Sequence, residues 1–248
     1  MSKQTYSPIV ELRQYTLYPD RRGELIELFD REFVETQEAV GIQVIGQFYD
    51  LDDPNRFVWL RGFNDMSARE QSLNTFYNGP IWKAHRDAAN ATMIDSDNVL
   101  LLRVVHPTSG FSFQNGTRPP LGSRAKQDGF MTATIYYFNK PVDSDFIHYF
   151  ENMIHPVLME TDALLLAYFV TEDGPNPYPR LPIREGENVF VWFAGFHDQD
   201  IYERHLAELA QSKLWNQEIS KYLKRRLIRK PEVLRLTPTT RSWLTGRP

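Results

Sequence analysis

The sequence predicts an α+β protein made of two tandem ferredoxin-like (βαββαβ) units, which close on each other as one intramolecular α/β barrel. One observation is a repeat: FVWLRGFND at Phe57 to Asp65 returns 133 residues later as FVWFAGFHD at Phe190 to Asp198. Another is that strand-like and helix-like patterns follow each other in the same order around both copies. Finally, a sheet with helices on one face leaves an apolar face bare, and two copies in one chain can bury those faces against each other.

The first unit is predicted to run strand, helix, strand, strand, helix, strand. Its strands are expected at Ile9–Leu17, Gln43–Asp50, Arg56–Phe63 and Val99–Val105, where apolar residues alternate or form short runs. Apolar residues at helical spacing predict an amphipathic helix from Arg22 to about Val40. The second helical region is expected in two pieces, because Asn78-Gly79-Pro80 interrupts it.

The second unit repeats this order. Its strands are expected at Met131–Phe138, Leu164–Thr171, Asn188–Phe196 and Glu232–Thr237, and its helices at Asp145 to Glu160 and, in two pieces, Gln199 to Leu227. The connection between its second and third strands is longer by 12 residues, and the extra length lies in the segment GPNPYPRLPIREGE. A Pro-rich loop of that length is often functional.

The domain boundaries follow from this order. Residues 1–107 are predicted to form the first unit, 108–128 a packed linker rich in Gly, Pro, Ser and Asn, 129–240 the second unit, and 241–248 a C-terminal tail. The chain is 42% hydrophobic and 24% charged, which is typical of a globular protein. A net charge of −4 argues against a nucleic-acid partner, and the lack of cysteine excludes disulfides and thiolate metal sites. No signal peptide and no membrane span is recognised, so the expected location is the cytoplasm.

Four segments carry a family resemblance. They are VELRQYTLYPDRRGELIELF, WLRGFNDMSARE, the helix IWKAHRDA and the closing LLR. With them the chain resembles the NIPSNAP family, a branch of the dimeric α/β-barrel superfamily. The second unit matches more loosely, since its opening strand, MTATIYYF, has lost the Glu-Leu-Arg pattern. The resemblance implies a barrel with a pocket beside each sheet. Elsewhere the superfamily includes cofactor-free monooxygenases, lactone isomerases and haem enzymes, so the fold alone does not choose among them.

A basic strand face is the first candidate site. Alternation along the strands places Arg13, Trp59, Arg61 and Arg103 on one face of the first sheet, if the faces coincide. Guanidinium groups match carboxylates or enolates in a bidentate manner, so this face is a candidate for binding an anionic substrate. The alternative is an ion-pair lattice with Glu11 that holds the two sheets in register.

The two units differ at these positions. In the second unit Ala133 and Ala194 are expected to replace Arg13 and Arg61, while Arg235 is expected to keep the place of Arg103. This asymmetry predicts a single active pocket, in the unit that has kept its charge.

Candidate catalytic residues are His148, His155 and Tyr15. The two histidines share one stripe of a predicted helix, and a histidine beside the sheet is a candidate general base, or a haem or metal ligand. The plainer alternative is a solvent-facing or capped histidine. Tyr15 is a candidate donor to a developing oxyanion, although tyrosine is also simply a good strand former. The sequence lacks HExxH and similar dense ligand spacings, so no metal site is predicted.

The favoured function is a small-molecule enzyme without a nucleotide cofactor. Phosphate-binding loops, dinucleotide fingerprints and nucleophile elbows are absent from the sequence, and no cofactor is predicted. The expected chemistry is proton transfer on an anionic or aromatic metabolite, by an isomerase, lyase, cyclase or cofactor-free oxygenase. The alternatives are a non-catalytic binding or scaffolding protein and, more weakly, a haem-binding protein. Association of barrels through their helical faces stays open.

Overall fold

The computed structural model describes residues 7–112, 118–125 and 127–246. The strands of the first half are β1 (Ile9–Leu17), β2 (Gln43–Asp50), β3 (Arg56–Phe63), β4 (Met93–Asp95) and β5 (Val99–Val104), and its helices are α1 (Arg22–Leu28), α2 (Val34–Glu38), α3 (Met66–Asn78) and α4 (Pro80–Asn90). The second half has strands β6 (Phe130–Phe138), β7 (Leu164–Thr171), β8 (Asn188–Phe196) and β9 (Glu232–Pro238), and helices α5 (Ser144–Tyr149), α6 (His155–Glu160), α7 (Gln199–Gln211) and α8 (Ser220–Arg226).

The eight predicted strands are present, with ends that differ from the prediction by at most one residue. The long predicted helices are interrupted by single π-helical turns at Phe29–Phe33, Phe150–Ile154 and Trp215–Ile219. The short strand β4, which pairs with the end of β1, was not predicted. Three residues are too few to show a period in the sequence.

Eight strands close into an antiparallel barrel, in the order β3-β2-β9-β6-β8-β7-β5-β1, and β1 pairs back to β3. Within each half the sheet order is the same, β5-β1-β3-β2 and β9-β6-β8-β7. The halves are joined at two seams: β2 pairs with β9, and β5 pairs with β7. The barrel predicted from the bare apolar faces is therefore confirmed.

Apolar side chains from both halves fill the barrel interior. They include Val10, Leu12, Phe48, Leu100, Ala133, Phe169 and Phe193, each at most 2% exposed. Because successive side chains of a strand point to opposite faces, residues 11, 13 and 15 of β1 point outward, under the helices. The space between the outer face of the sheet and the helices holds the buried charged groups Glu11, Arg13 and Arg61.

The C-terminal segment packs onto the barrel and onto the linker. The backbone N–H of Leu244 donates to the carbonyl of Ile45 at 2.9 Å, and the side-chain amide of Gln127 donates to the carbonyls of Thr240 and Ser242. Residues 113–117 and 126 of the predicted linker, 247–248 of the predicted tail and 1–6 of the first unit lie outside the described residues. No helix in the described ranges has the length and apolar character needed to cross a membrane.

Candidate functional site

The strand registers fix which residues of the two halves are equivalent. Ile9 pairs with Phe63 in the first half, and Phe130 pairs with Phe196 in the second. Arg13 is therefore equivalent to Thr134. The predicted equivalence of Arg13 with Ala133 was wrong by one residue, and such a slip exchanges the two faces of a strand.

A second predicted equivalence also changes. Arg235 pairs with Thr132 as Leu101 pairs with Glu11, so Arg235 takes the place of Leu101 and not that of Arg103. Arg235 instead binds Asp52 in the first half through its guanidinium group.

In the first half, one carboxylate binds three guanidinium groups. The Glu11 carboxylate accepts from Nη1 of Arg13 at 2.5 Å, from Nε of Arg61 at 2.8 Å and from Nε of Arg69 at 2.7 Å. All four side chains are fully buried. Burial alone would raise the pKa of Glu11, but the three adjacent positive charges outweigh it and hold that pKa well below its ordinary value. We call these four residues the ionic cluster.

Two other predicted residues are part of the same packing. The Tyr15 hydroxyl accepts a hydrogen bond of 2.9 Å from Nε of Arg13, and burial raises the pKa of this phenol. The guanidinium groups of Arg13 and Arg61 lie 5.5 Å and 5.2 Å from the Trp59 ring centroid. The structure thus brings Arg13, Tyr15, Trp59 and Arg61 together.

Arg103 does not join them. Its side chain is 43% exposed and binds Asp173 at 3.2 Å at the rim of the barrel. The expected surface of three arginines is therefore corrected: the third member is Arg69, on helix α3. Sequence reasoning missed Arg69 because an arginine in the first turns of a helix is ordinarily at the surface.

The long connection of the second half covers the ionic cluster. Oδ1 of Asn176 accepts from Nη1 of Arg69 at 2.9 Å, and Tyr178 is buried with its ring stacked on Tyr77. Leu181 and Ile183 pack on the same core. We call residues 174–187 the covering loop. The helix–sheet space of the first half has a cavity of about 30 Å³, lined by Trp59, Tyr77 and Gln37 among mostly apolar side chains.

The second half has lost the ionic cluster. Thr132 and Thr134 stand in the places of Glu11 and Arg13. Ala194 replaces Arg61, and Tyr202 replaces Arg69. Arg69 and Tyr202 each lie four residues after the aspartate that caps their helix, Asp65 and Asp198 respectively. Smaller side chains on the strands leave space, and a cavity of about 470 Å³ lies between sheet and helices. The single pocket expected in the charged half is not seen among the described residues, because the arginine side chains fill that half.

Polar groups on the sheet side of this cavity come from four strand residues, Thr132, Thr134, Tyr136 and Trp192. The hydroxyls of Thr132 and Thr134 hydrogen-bond no other residue in the described ranges. Nε1 of Trp192 is buried, and no described residue accepts from it with good geometry. The neighbouring Tyr136 is also buried, which raises the pKa of its phenol, and the nearby Trp192 N–H offsets this only in part. This wall offers donors to an oxygen atom of a bound molecule.

His205 on α7 supplies a titratable group to the same cavity. Its Nδ1 lies 3.0 Å from the carbonyl oxygen and 2.7 Å from Oγ1 of Thr161. A carbonyl only accepts, so Nδ1 carries the proton in the neutral ring and Nε2 keeps its lone pair. Burial lowers the pKa of His205, with partial compensation by the bond to Thr161. Within the described ranges, no residue hydrogen-bonds Nε2. A neutral imidazole with a free Nε2 is the form that a general base requires.

The mouth of the cavity combines apolar and basic side chains. Leu206, Ile228 and Val233 are 45%, 58% and 41% exposed, and Lys224, Arg229 and Lys230 lie beside them. The arrangement fits an apolar or aromatic molecule that carries an acidic group near the mouth.

The histidines singled out in the sequence lie elsewhere. His148 is exposed and His155 half-buried on α5 and α6, and neither lines the 470 Å³ cavity. Both interact electrostatically with Glu151. The Glu151 carboxylate also binds His106 and accepts a hydrogen bond of 2.8 Å from the Tyr168 hydroxyl. Burial lowers the pKa of His155. Haem ligation by His155 has no support in this geometry, and the described residues contain no group of three metal-ligating side chains.

His205 was missed because a lone histidine on an amphipathic helix carries no motif. The signal that could have found it was the repeat. His205 stands 133 residues after Ser72, on the buried side of the equivalent helix, where the first half has only a small hydroxyl group.

Comparison with solved structures shows the same fold in other proteins. A proposed monooxygenase from Fusobacterium nucleatum has 14% sequence identity and a TM-score of 0.56, covering 95% of this chain and 94% of that one. A proposed monooxygenase from Lactobacillus acidophilus has 13% identity and a TM-score of 0.53, covering 95% and 98%. An anthrone oxidase-like protein has 13% identity and a TM-score of 0.54, covering 100% and 98%. At these identities the likeness concerns the fold alone.

No curated protein matches the sequence of this chain. The model of the NIPSNAP family matches residues 10–107, which include β1, β3 and the whole ionic cluster. The first half of this chain is therefore similar to the NIPSNAP family.

Proposed function

We propose that this protein is a small-molecule enzyme without a nucleotide cofactor, built from two ferredoxin-like units, and that its active site is the cavity of the second half. Its substrate is an apolar or aromatic molecule with an acidic group, and its first step is removal of a proton. The observation that carries the proposal is a buried, neutral His205 in the wall of a cavity of about 470 Å³.

The residues of the cavity have distinct roles in this step. Nε2 of His205 takes the proton from an acidic C–H or O–H group of the substrate. The resulting negative charge on the substrate oxygen is stabilised by donors on the sheet, from the hydroxyls of Thr132 and Thr134 and from Nε1 of Trp192. Lys224, Arg229 and Lys230 hold an acidic group at the mouth.

The enolate or carbanion has two fates. Protonation at another atom gives an isomerase or lyase. Reaction with molecular oxygen converts a CH₂ group to a carbonyl and releases one water, so that the substrate supplies all the electrons and no other reductant is needed. Support for the second fate is that proteins with this fold carry names of oxygen-using enzymes, including an anthrone oxidase-like protein. Anthrone is therefore the first probe, followed by hydroxylated polycyclic aromatics.

The experiment follows oxygen uptake together with loss of the acidic C–H signal in D₂O by NMR. The matched pair of variants is His205→Gln and the exposed His148→Gln. We expect His205→Gln to bind the probe and to lose at least a hundredfold in turnover, as general-base removal typically does, while His148→Gln keeps wild-type rates. Full turnover by His205→Gln would overturn the assignment.

The second candidate is a non-catalytic binding protein, and the exposed apolar side chains Leu206 and Ile228 at the mouth favour it. It predicts that aromatic acids bind in the cavity without oxygen uptake or proton exchange. A Thr132→Leu variant, which removes a hydroxyl and narrows the cavity at the sheet, should weaken that binding in either case. Loss of binding therefore locates the site, and proton exchange distinguishes an enzyme from a binding protein.

A further inference from the structure

The ionic cluster of the first half carries uncompensated charge. Glu11 supplies one negative charge to three positive ones, from Arg13, Arg61 and Arg69, and all four side chains have no solvent exposure. Glu11 is the single carboxylate that hydrogen-bonds these groups in the described part of the chain. Buried charges are ordinarily paired, since an unpaired one loses its hydration without replacement. The cluster therefore lacks negative charge.

Unused donors surround the same charges. Nη2 of Arg61, Nη2 of Arg69, Nε1 of Trp59 and the hydroxyl of Tyr178 are buried and have no partner among the described residues. Buried polar groups in folded proteins almost always have a partner. Three of these four are pure donors and the fourth can donate, so what is missing is an acceptor.

Three of these donors, on Arg61, Trp59 and Tyr178, lie around Tyr77, and Arg69 is linked to them because it shares Glu11 with Arg61. The guanidinium of Arg61 lies 5.2 Å from the Trp59 ring centroid and 5.9 Å from that of Tyr77, and Tyr178 stacks on Tyr77 at 6.1 Å. Trp59 and Tyr77 also line the cavity of about 30 Å³, together with Gln37. The side-chain oxygen of Gln37 accepts a hydrogen bond from Nη1 of Arg61 at 3.3 Å, and its side-chain nitrogen donates to the carbonyl of Phe33.

We propose that the first half binds one small inorganic anion of chloride size, beside Arg61 and Trp59. A water molecule would fill the space and satisfy one or two donors, but it would leave the two excess positive charges in place. A cavity of about 30 Å³ is too small for a metabolite carboxylate with its carbon chain. The site is separate from the cavity of the second half and does not depend on the function proposed for that cavity.

The second half provides an internal control. Thr132, Thr134 and Ala194 replace Glu11, Arg13 and Arg61 there, so no guanidinium faces Trp192 as Arg61 faces Trp59. The two tryptophans are equivalent in the repeat, yet only Trp59 lies beside buried excess charge.

The anion is located by crystallography. Crystals of the full chain grown in sodium bromide are measured at the bromine absorption edge, and we expect one fully buried anomalous peak beside Arg61 and Trp59. Absence of a buried peak there would overturn the proposal, as would bromide bound only at surface positions.

The effect of the anion is then measured in solution. The protein is dialysed into sodium gluconate, and gluconate is replaced by chloride at constant ionic strength while the unfolding temperature is followed. A ligand that binds only the folded state raises this temperature with concentration. Tyr178→Phe removes one donor and keeps the ring, and Trp59→Phe removes one donor and keeps a smaller aromatic side chain. We expect them to raise the chloride concentration for half of the effect at least threefold, while Trp192→Phe leaves it unchanged.

Either of two results would contradict the proposal in solution. One is an unfolding temperature that is the same in chloride and gluconate for the wild-type protein. The other is stabilisation by acetate and not by chloride, which would mean that the covering loop opens for a carboxylate.

Discussion

Asn176 of the second half accepts a hydrogen bond of 2.9 Å from Arg69 of the first half through its side-chain oxygen. The same oxygen accepts from the backbone N–H of Tyr178 at 3.1 Å, which fixes the loop that carries it. An insertion in one half has thus become the cover of the charged core of the other. The first half is complete only when the second is folded beside it.

Removal of the Tyr178 ring should loosen this cover. The ring is 4% exposed and stacks on Tyr77, so Tyr178→Ala is expected to lower the free energy of unfolding by about 1–3 kcal/mol, below the usual range for a core aromatic because a loop can partly collapse. Hydrogen exchange should rise within residues 174–187 and at Arg69. Arg180→Ala, an exposed residue of the same loop, is the control, and equal exchange in both variants would contradict the role given to Tyr178.

Loss of the Glu11 charge should be costly. Glu11→Gln leaves three buried guanidinium groups without a carboxylate and is expected to destabilise the protein by about 3–5 kcal/mol, measured by urea unfolding. The control is Glu24→Gln, which breaks an exposed pair with Arg21 and should cost less than about 1 kcal/mol. A similar small effect in both variants would mean that the ionic cluster is not a source of stability.

Arg103 should behave as a surface residue. Its guanidinium is 43% exposed and paired with Asp173, so Arg103→Ala is expected to change the free energy of unfolding by less than about 1 kcal/mol. Binding of aromatic acids in the second-half cavity, followed by calorimetry, should stay at the wild-type affinity. A tenfold loss of affinity would restore the role in substrate binding that its strand position suggested.

The stability of the protein should fall in mild acid because of His205. Burial lowers the pKa of this imidazole in the folded protein, so below its ordinary pKa of about 6.5 the unfolded chain takes up a proton that the folded one does not. The contribution of His205 to the free energy of unfolding is therefore constant well above pH 6.5, and it becomes unfavourable as the pH falls below that value.

The measurement is the unfolding temperature from pH 8 to pH 5 for the wild type and His205→Gln. We expect the difference between the two curves to be flat above pH 7 and to shift against the wild type below it. His155 also has a lowered pKa but is present in both proteins, so it cancels. A difference that does not vary with pH would contradict the buried, neutral state of His205.

The strands and the barrel could be predicted because they depend on local patterns. Phe57 to Asp65 and its repeat alternate or run apolar over a strand length, and the order of elements leaves few ways to bury two bare faces. The equivalence of Arg13 with Thr134 was also available from the sequence, because the early part of the two halves is offset by 121 residues. The prediction of Ala133 departed from that offset by one residue.

The site depended on tertiary packing and was only partly predictable. Arg13 and Arg61 share a strand face, which alternation reveals. Arg69 and His205 lie on the buried faces of their helices, and nothing local distinguishes them from surface residues. Charge in the sequence also suggested an open pocket, whereas three long arginine side chains fill the space that threonine and alanine leave free.

Closure of the barrel within a single polypeptide has an evolutionary consequence. In a barrel formed by two identical subunits, every substitution appears on both sides of the symmetry axis, so a side chain cannot be lost from one side and kept on the other. Here the seams β2–β9 and β5–β7 join segments of one gene, and Arg13 and Thr134 change independently. One half can therefore contain a cavity of about 470 Å³ while the other stays closely packed around its arginines.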